Sequence, residues 1–491
     1  MKKTKKFMIN AGILTATSLL LRSLGLSFSV YLSKTIGAEA MGTYHLILSV
    51  YFFSVTVATS GIGLTMTKLI AEEMAVGDEQ GVFSLLKKGV FYCLFFSILS
   101  AVLLFCLAPV LVKFCFGNRI SEKPIYLLAI GLPFLSVASA LSGYFTAGRK
   151  VFRTSVGQIA EQALKIGATV CFLFFAKGKG LTEVCSALVV GSTVGEIFSF
   201  LYLWMLFSLE RKRGAVHIGK KGQWKKLFGF SLPLAFSSYL RSGLSSIKQL
   251  SIPARLGKSG ISNAVAQYGM VNGMVFPILL FPQVLLTAFS SLLVPEVTEK
   301  YALGQSNSLK NILTRIFKIT LIFSVAIGGI LFLYAGDLCR SVYQNGEIAF
   351  YLKLLAPLTV IMYLDDIVDA VLKGINCQVA VVRINILDSL MSIILLLNLL
   401  PVFHIKGYLM TIYISEILNG TLSILKLMEH TDFSLSPIRW IVVPAVVIWI
   451  AMIASKVLVP FSMVGSMVLS VLLYFGILYV VGIVDYRDFR L

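Results

Sequence analysis

Acidic side chains are scarce in this chain. Its 491 residues include 23 Asp and Glu against 43 Lys and Arg, and charged residues of both signs make up only 13%. An average soluble domain carries about 25% charged residues, so a soluble globular protein of this length is excluded. Four histidines are scattered singly. Seven cysteines (Cys93, Cys106, Cys115, Cys171, Cys185, Cys339 and Cys377) lie in or beside apolar runs, with no metal-ligand or redox spacing between any two. They read as small buried hydrophobes, and no metal site is expected. No phosphate-cradling Walker loop occurs, which removes ATP as a direct driver. No nucleophile and base stand in a hydrolytic or transferase arrangement. The chain therefore reads as a non-enzyme without a cofactor, a coupling cation of unknown identity being the one group left open. The imbalance of charge leaves a net +20. These basic residues punctuate apolar runs and do not form a stripe on a folded face, so nucleic acid is not a partner.

What the chain has in abundance is apolar length. Hydrophobic residues make up 57% of it, and runs of about 20 residues, long enough to cross a hydrocarbon core of roughly 30 Å, recur throughout. Short alternating segments of the β-barrel kind are missing. The expected fold is an all-α polytopic membrane protein with about 14 transmembrane helices, from a first span near 8–33 to a last near 462–484. Lys2, Lys3, Lys5 and Lys6 precede the first run as in a signal peptide. That run carries Arg22 and no small-residue cleavage site, so it is read as a retained span. The connection from Lys68 to Lys88 reads as a charged interfacial helix. Alternate loops hold about 27 Lys and Arg on the N-terminal side and about 12 on the other. This asymmetry puts both termini in the cytoplasm.

An internal repeat organises the spans. Leu21-Arg22-Ser23-Leu24-Gly25-Leu26-Ser27 in the first returns as Leu240-Arg241-Ser242-Gly243-Leu244-Ser245 in the seventh. Tyr126-Leu127 with Pro133 answers Tyr351-Leu352 with Pro357. Gln158-Ile159-Ala160-Glu161 answers Asn385-Ile386-Leu387-Asp388, and Gly195-Glu196-Ile197 answers Ser415-Glu416-Ile417, all at offsets of about 219 to 227 residues. Six spans separate each pair, so both halves keep one orientation, related by an axis along the membrane normal. The expected domains are a six-helix lobe at 1–207, a basic cytoplasmic linker at 208–226, a second six-helix lobe at 227–436, and two additional helices at 437–491.

The candidate site residues are the charges that fall inside spans. A charged side chain at the bilayer centre costs roughly 2.5–3.5 kcal/mol on insertion scales, so it faces protein or water. Arg22, Arg241 and Lys248 are the cationic candidates for substrate binding. Arg241 and Lys248, seven apart, share a helix face, and guanidinium forks with a lysine point charge suit a diphosphate. Glu161, Glu196, Asp365, Asp369, Asp388 and Glu416 are the acidic candidates, either for ion or proton coupling or for bracing each lobe. Glu161 and Lys165, one turn apart, can neutralise each other. Asp365, Asp369 and Lys373 step by four, as an ion-pair ladder or the wall of a cation path. Pro277 and Pro282, just after Gly269 and Gly273, are expected to break the eighth span.

Several motifs carry a family likeness. Ile36-Gly37-Ala38-Glu39-Ala40-Met41-Gly42-Thr43-Tyr44 resembles the start of bacterial polysaccharide and lipid-linked oligosaccharide exporters. So does Ser60-Gly61-Ile62-Gly63 followed by Lys68-Leu69-Ile70-Ala71-Glu72-Glu73. Ser142-Gly143-Tyr144-Phe145-Thr146-Ala147-Gly148-Arg149, followed by Gln158-Ile159-Ala160-Glu161-Gln162, is similar to a segment of the stage V sporulation protein B-like family. That family sits in the multidrug, oligosaccharidyl-lipid and polysaccharide exporter superfamily, with the lipid II flippases. The resemblance implies two six-helix lobes around a central cavity and alternating access in the bacterial cytoplasmic membrane. It implies movement of an undecaprenyl-diphosphate-linked saccharide, a peptidoglycan precursor, with a spore-cortex role among the options. Arg22, in its Arg-x-x-Gly setting, matches a diphosphate-binding arginine of the lipid II flippases, whereas this chain has no arginine in its second span. A cation-coupled multidrug exporter stays open as an alternative. So does a non-transporting membrane scaffold partnered with cell-wall synthesis enzymes.

Overall fold

In hydrocarbon a backbone satisfies its own hydrogen bonds or leaves them unmade at several kcal/mol each, which leaves apolar runs of this length one local solution, the helix. The computed structural model describes residues 2–210, 222–258, 263–431, 433, 436–460 and 462–484, and among these no strand occurs. By contacts the chain forms two compact units. The first comprises Met1–Phe28 and Ile36–Gly269, the second Ser29–Thr35 and Met270–Leu491.

α1 (Lys2–Thr59), in the first unit except for Ser29–Thr35, carries the first two expected spans as one element bent at Gly37, whose φ of 76° lies outside the helical region. α2 (Ile62–Ala75) continues the second span after a break at Ser60 and Gly61, both with positive φ. The expected interfacial helix at Lys68–Lys88 is not a separate element. α2 runs to Ala75, α3 (Glu79–Phe114) starts four residues later, and the Asp78 side chain caps α3 by accepting from Gly81 N at 2.9 Å. The charged residues there extend the helices beyond the hydrocarbon, and an N-cap aspartate ends the turn at once. α4 (Lys123–Ala147), α5 (Val151–Ala176) and α6 (Leu181–Glu210) follow. Met66, Leu85, Tyr92, Leu141 and Phe145 fill the core among α2, α3 and α4. α7 (Gln223–Lys258) and α8 (Ala264–Gly269) complete the unit.

The contact boundary therefore falls after Gly269, past the whole seventh span, and not at the basic stretch 208–226. The reason is packing. α7 lies along α1 and α2 through a seam of small and hydroxyl residues. Ser246 Oγ donates to Ser49 O at 2.7 Å, and Thr56 Oγ1 donates to Ser242 Oγ at 3.1 Å. Ser60 Oγ bonds the Tyr239 hydroxyl, and Tyr92 OH donates to Ser60 O at 3.1 Å. Glycine suits this break on two counts: Gly61 has a φ of 70°, and a Cβ there would stand 3.1 Å from Ser231 O and 3.2 Å from Leu234 Cβ. Residues 211–221 of the basic stretch lie outside the described residues.

In the second unit the eighth span is broken where proline and glycine foretold. A π-helical turn at Met270–Val275 leads into α9 (Phe276–Leu280), and after Phe281–Pro282 α10 (Gln283–Ala302) resumes. α11 (Ser306–Leu333), α12 (Ala335–Tyr343), α13 (Ile348–Leu355) and α14 (Thr359–Gly374) follow. α15 (Gln378–His430) joins the eleventh and twelfth spans across a bend at His404. Leu313, Phe317, Leu321, Tyr363, Ile367 and Val371 make its core. The two last helices, α16 (Val443–Leu458) and α17 (Met463–Val480), dock on α11 through a buried hydroxyl knot. Tyr334 OH lies 2.6 Å from Ser466 Oγ and 3.3 Å from both Ser455 Oγ and Ser470 Oγ.

Ten described helices are long and apolar enough to cross a membrane. Two of them, α1 extended by α2 and α15, each hold two of the expected spans. The seventh is too polar and the eighth too broken to count, which reconciles the ten with about fourteen crossings.

Candidate functional site

The sequence candidates divide into a cationic set and two acidic sets, each lying within one compact unit. The cationic group is entirely in the first. Arg22 on α1 and Arg241 on α7 are exposed, and Lys248 is half-buried. The repeat had assigned the two arginines to different halves. The packing of α7 carries Arg241 and Lys248 with the unit that holds Arg22. The rotation of α7 is set by the seam. Residues 231, 239, 242 and 246 face α1 and α2, and at 100° per residue Arg241 and Lys248 stand about 120–140° away on another flank.

The second group is a cavity of about 210 Å³ inside the first unit. Ser139, Ser142, Gln158, Glu161, Glu196 and Ser199 are among its lining residues. Glu196 is only 6% exposed. The Tyr51 hydroxyl donates to its Oε1. Its Oε2 is buried without a hydrogen bond among the described residues. Space for that carboxyl exists because residue 131 is glycine; a Cβ there would collide with Oε2. Ser199 and Lys165 lie beside Glu161, but Glu161 and Lys165 do not close into an ion pair. Two carboxyl groups thus share one small polar chamber in an otherwise apolar bundle.

The third group is in the second unit, where α14 meets α15. Asn419 Nδ2 donates to Asp365 Oδ2 at 2.6 Å. Asn385 Nδ2 donates to Asp369 Oδ2 at 3.3 Å, and Lys373 Nζ stands 3.6 Å from the same oxygen. Ser415 Oγ donates to Asp388 and lies 2.7 Å from Ser392 Oγ. Gln283 donates to Asp366. Asp365 Oδ1 and Asn419 Oδ1 are both buried without hydrogen bonds among the described residues, with Ser423 beside the carboxylate but outside bonding geometry. The ladder is therefore half a ladder. Asp369 pairs with Lys373, while Asp365 turns to an amide. Glu416 is half-buried on α15. Among the described residues no group of three or more His, Cys, Asp and Glu could hold a metal ion.

Sequence reasoning missed Tyr51, Asn419, Asn385 in its bonding role, and the Ser415 hydroxyl. Their one signal is that they are polar residues inside apolar runs, and nothing in their spacing says which acidic residue each meets.

Many apolar helices, buried polar clusters in both units and cations displayed on membrane-length helices define a polytopic transporter fold. The chain belongs to the polysaccharide biosynthesis protein family, which it matches over residues 7–300. Among curated relatives it is similar to stage V sporulation protein B of Bacillus subtilis, 24% identical over 423 residues, covering 84% of this chain and 82% of that protein. It is also similar to the lipid II flippase MurJ of Bacillus subtilis, 21% identical over 467 residues, covering 88% and 84%. Among solved structures it resembles a lipid II flippase MurJ in an inward closed conformation, with a TM-score of 0.71 at 15% identity, covering 97% of this chain and 99% of that one. An inward-facing multidrug resistance transporter of the MATE family in the MOP superfamily gives a TM-score of 0.62 at 14% identity, covering 85% and 97%. The chain is thus a multi-pass membrane protein with the fold shared by these flippases and transporters.

Proposed function

We propose that the chain is a flippase for a lipid-linked saccharide, an undecaprenyl-diphosphate-linked peptidoglycan precursor, in the bacterial cytoplasmic membrane, with both termini cytoplasmic. The observation that carries this reading is the cationic set: Arg22 and Arg241 exposed on helices of one compact unit, with Lys248 on the same flank as Arg241. An anionic headgroup answers that display, whereas a cationic drug does not. Likeness to the lipid II flippase and to a sporulation protein supports a cell-wall substrate and, through the latter, a role in sporulation. A charge-assisted hydrogen bond is worth about 1.5–3 kcal/mol, so Arg22→Ala or Arg241→Ala should weaken binding of a fluorescent undecaprenyl-diphosphate saccharide roughly 10- to 150-fold. Lysine should rescue in part, because it keeps charge and loses the fork. The double variant should depart from additivity. Folded alanine variants that bind like the parent would make these arginines structural and remove the basis of the reading.

A second element of the proposal is the driving force. Asp365 and Asn419 present two buried acceptor oxygens without hydrogen bonds among the described residues, a donor set that suits an alkali cation or a proton. Occupancy there would tie the second unit's conformation to an ion gradient. This observation also favours the alternative of a cation-coupled exporter. Transport of the lipid-linked probe measured against a cationic dye separates the two.

A further inference from the structure

The turn after α10 brings two lysines to one end of the second unit. Gly304, with a φ of 66°, closes that turn. Its N–H donates to Tyr301 O at 3.1 Å, and Gln305 N donates to Lys300 O at 3.1 Å. A left-handed glycine ends a helix in this way and reverses the chain, here straight into α11. Lys300 in the last turn of α10 and Lys310 early in α11 therefore stand at the same end. The last turn of α15 arrives beside them, finished by Thr431 Oγ1, which donates to Leu427 O at 2.8 Å. Between the three helix ends lies a cavity of about 290 Å³, with Lys300, Lys310, Glu429 and His430 among its lining residues.

The charge of this cavity is not balanced from within. Glu429, the one carboxylate among the described lining residues, is held by Lys426 Nζ at 2.6 Å. Lys300 and Lys310 make no ion pair or hydrogen bond among the described residues, and Glu296 and Glu299 on α10 bond neither of them. Two ammonium groups at one cavity attract an anion. The rim decides its kind. Met428, a lining residue, is apolar and exposed, as are Leu425 one turn before it and Leu303 next to Gly304. α11 and α15 are both of membrane length, so exposed apolar side chains at their ends meet acyl chains. We propose that this cavity seats the phosphate of an anionic phospholipid, with Lys300 and Lys310 as its cations and Leu303, Leu425 and Met428 against its acyl chains. The site is independent of what the chain transports. A seated headgroup bridges the ends of α10, α11 and α15, and by mass action it stabilises the unit that holds it.

The test uses the full chain in detergent, titrated separately with phosphatidylglycerol, phosphatidylcholine and inorganic phosphate. Melting reads stabilisation, and native mass spectrometry counts bound lipid. Phosphatidylglycerol should bind and raise the melting temperature, while phosphatidylcholine and inorganic phosphate at equal concentration should not. Lys300→Gln and Lys310→Gln should each weaken phosphatidylglycerol binding about 5-fold, the scale of one basic side chain near an anionic headgroup, and the double variant about 25-fold. Lys300→Arg with Lys310→Arg keeps the charge and should bind within about 2-fold of the parent. Lys177→Gln with Lys179→Gln removes the same charge from exposed positions at the end of α5 and should also stay within about 2-fold. A double glutamine variant that binds like the parent overturns the proposal. So does an equal loss in the Lys177 and Lys179 pair, which would make the effect one of net charge. A double arginine variant as weak as the glutamine one overturns it as well, since charge would then not be what matters. Equal stabilisation by phosphatidylcholine rejects an anion site, and saturation by inorganic phosphate alone rejects the lipid.

Discussion

The Tyr51–Glu196 pair offers the sharpest separation of coupling from bracing. Both residues are buried, at 5% and 6% exposure, and the tyrosine supplies the carboxyl group's hydrogen bond while Oε2 has none among the described residues. Tyr51→Phe keeps the ring and deletes the donor. Removing that donor leaves the buried carboxyl group without its partner, a cost of about 1–3 kcal/mol. Glu196→Gln keeps an acceptor for Tyr51 but introduces two N–H donors into a chamber shaped for oxygen, at about 1–3 kcal/mol. Removing both partners, with Tyr51→Phe and Glu196→Leu together, should cost less than the sum of the single changes, because no polar group is then left stranded. Melting of the detergent-purified protein reads the cycle by rank and sign, and flipping in liposomes under imposed gradients reads function. If Glu196 carries the coupling ion or proton, Glu196→Gln folds and flips without gradient dependence. If it braces the lobe, both single variants melt earlier and keep that dependence. Single variants that melt like the parent, with an additive double, would refute the desolvated pair itself.

Other outcomes follow from the same structure. Asp369→Asn should remove the half-exposed pair with Lys373, costing at most about 1 kcal/mol, and should spare ion dependence. Asp365→Asn should abolish ion-dependent transport while expression holds, and melting compared across salt compositions with transport tells these apart. Tyr334→Phe should loosen the last two helices by removing the hydroxyl that ties the end of α11 to Ser466, at about 0.5–1.5 kcal/mol, seen as faster proteolysis after Pro437. A reporter fused after Lys226 should read cytoplasmic and one between Lys177 and Lys179 external, and swapped signals would sink the assigned topology.

The sequence by itself determined the class of protein and the number and order of its crossings, because helix formation in hydrocarbon depends on local composition and length alone. It also marked the breaks of the eighth span, since proline and glycine act through their own residue's backbone. It named the charges worth explaining, because a charge within an apolar run is costly wherever the run packs. Partnerships were another matter. Nothing local distinguishes Tyr51 from any other tyrosine in a span, or Asn419 from a lipid-facing amide, until helix rotation brings one against Glu196 and the other against Asp365. The allegiance of α7 was likewise decided only in three dimensions. The repeat counts it with the second half, but hydroxyl bonds to Ser49, Thr56 and Ser60 and the tight approach at Gly61 bind it to the first. Those contacts join residues nearly 200 positions apart, and no period or spacing in the chain encodes which helix faces meet.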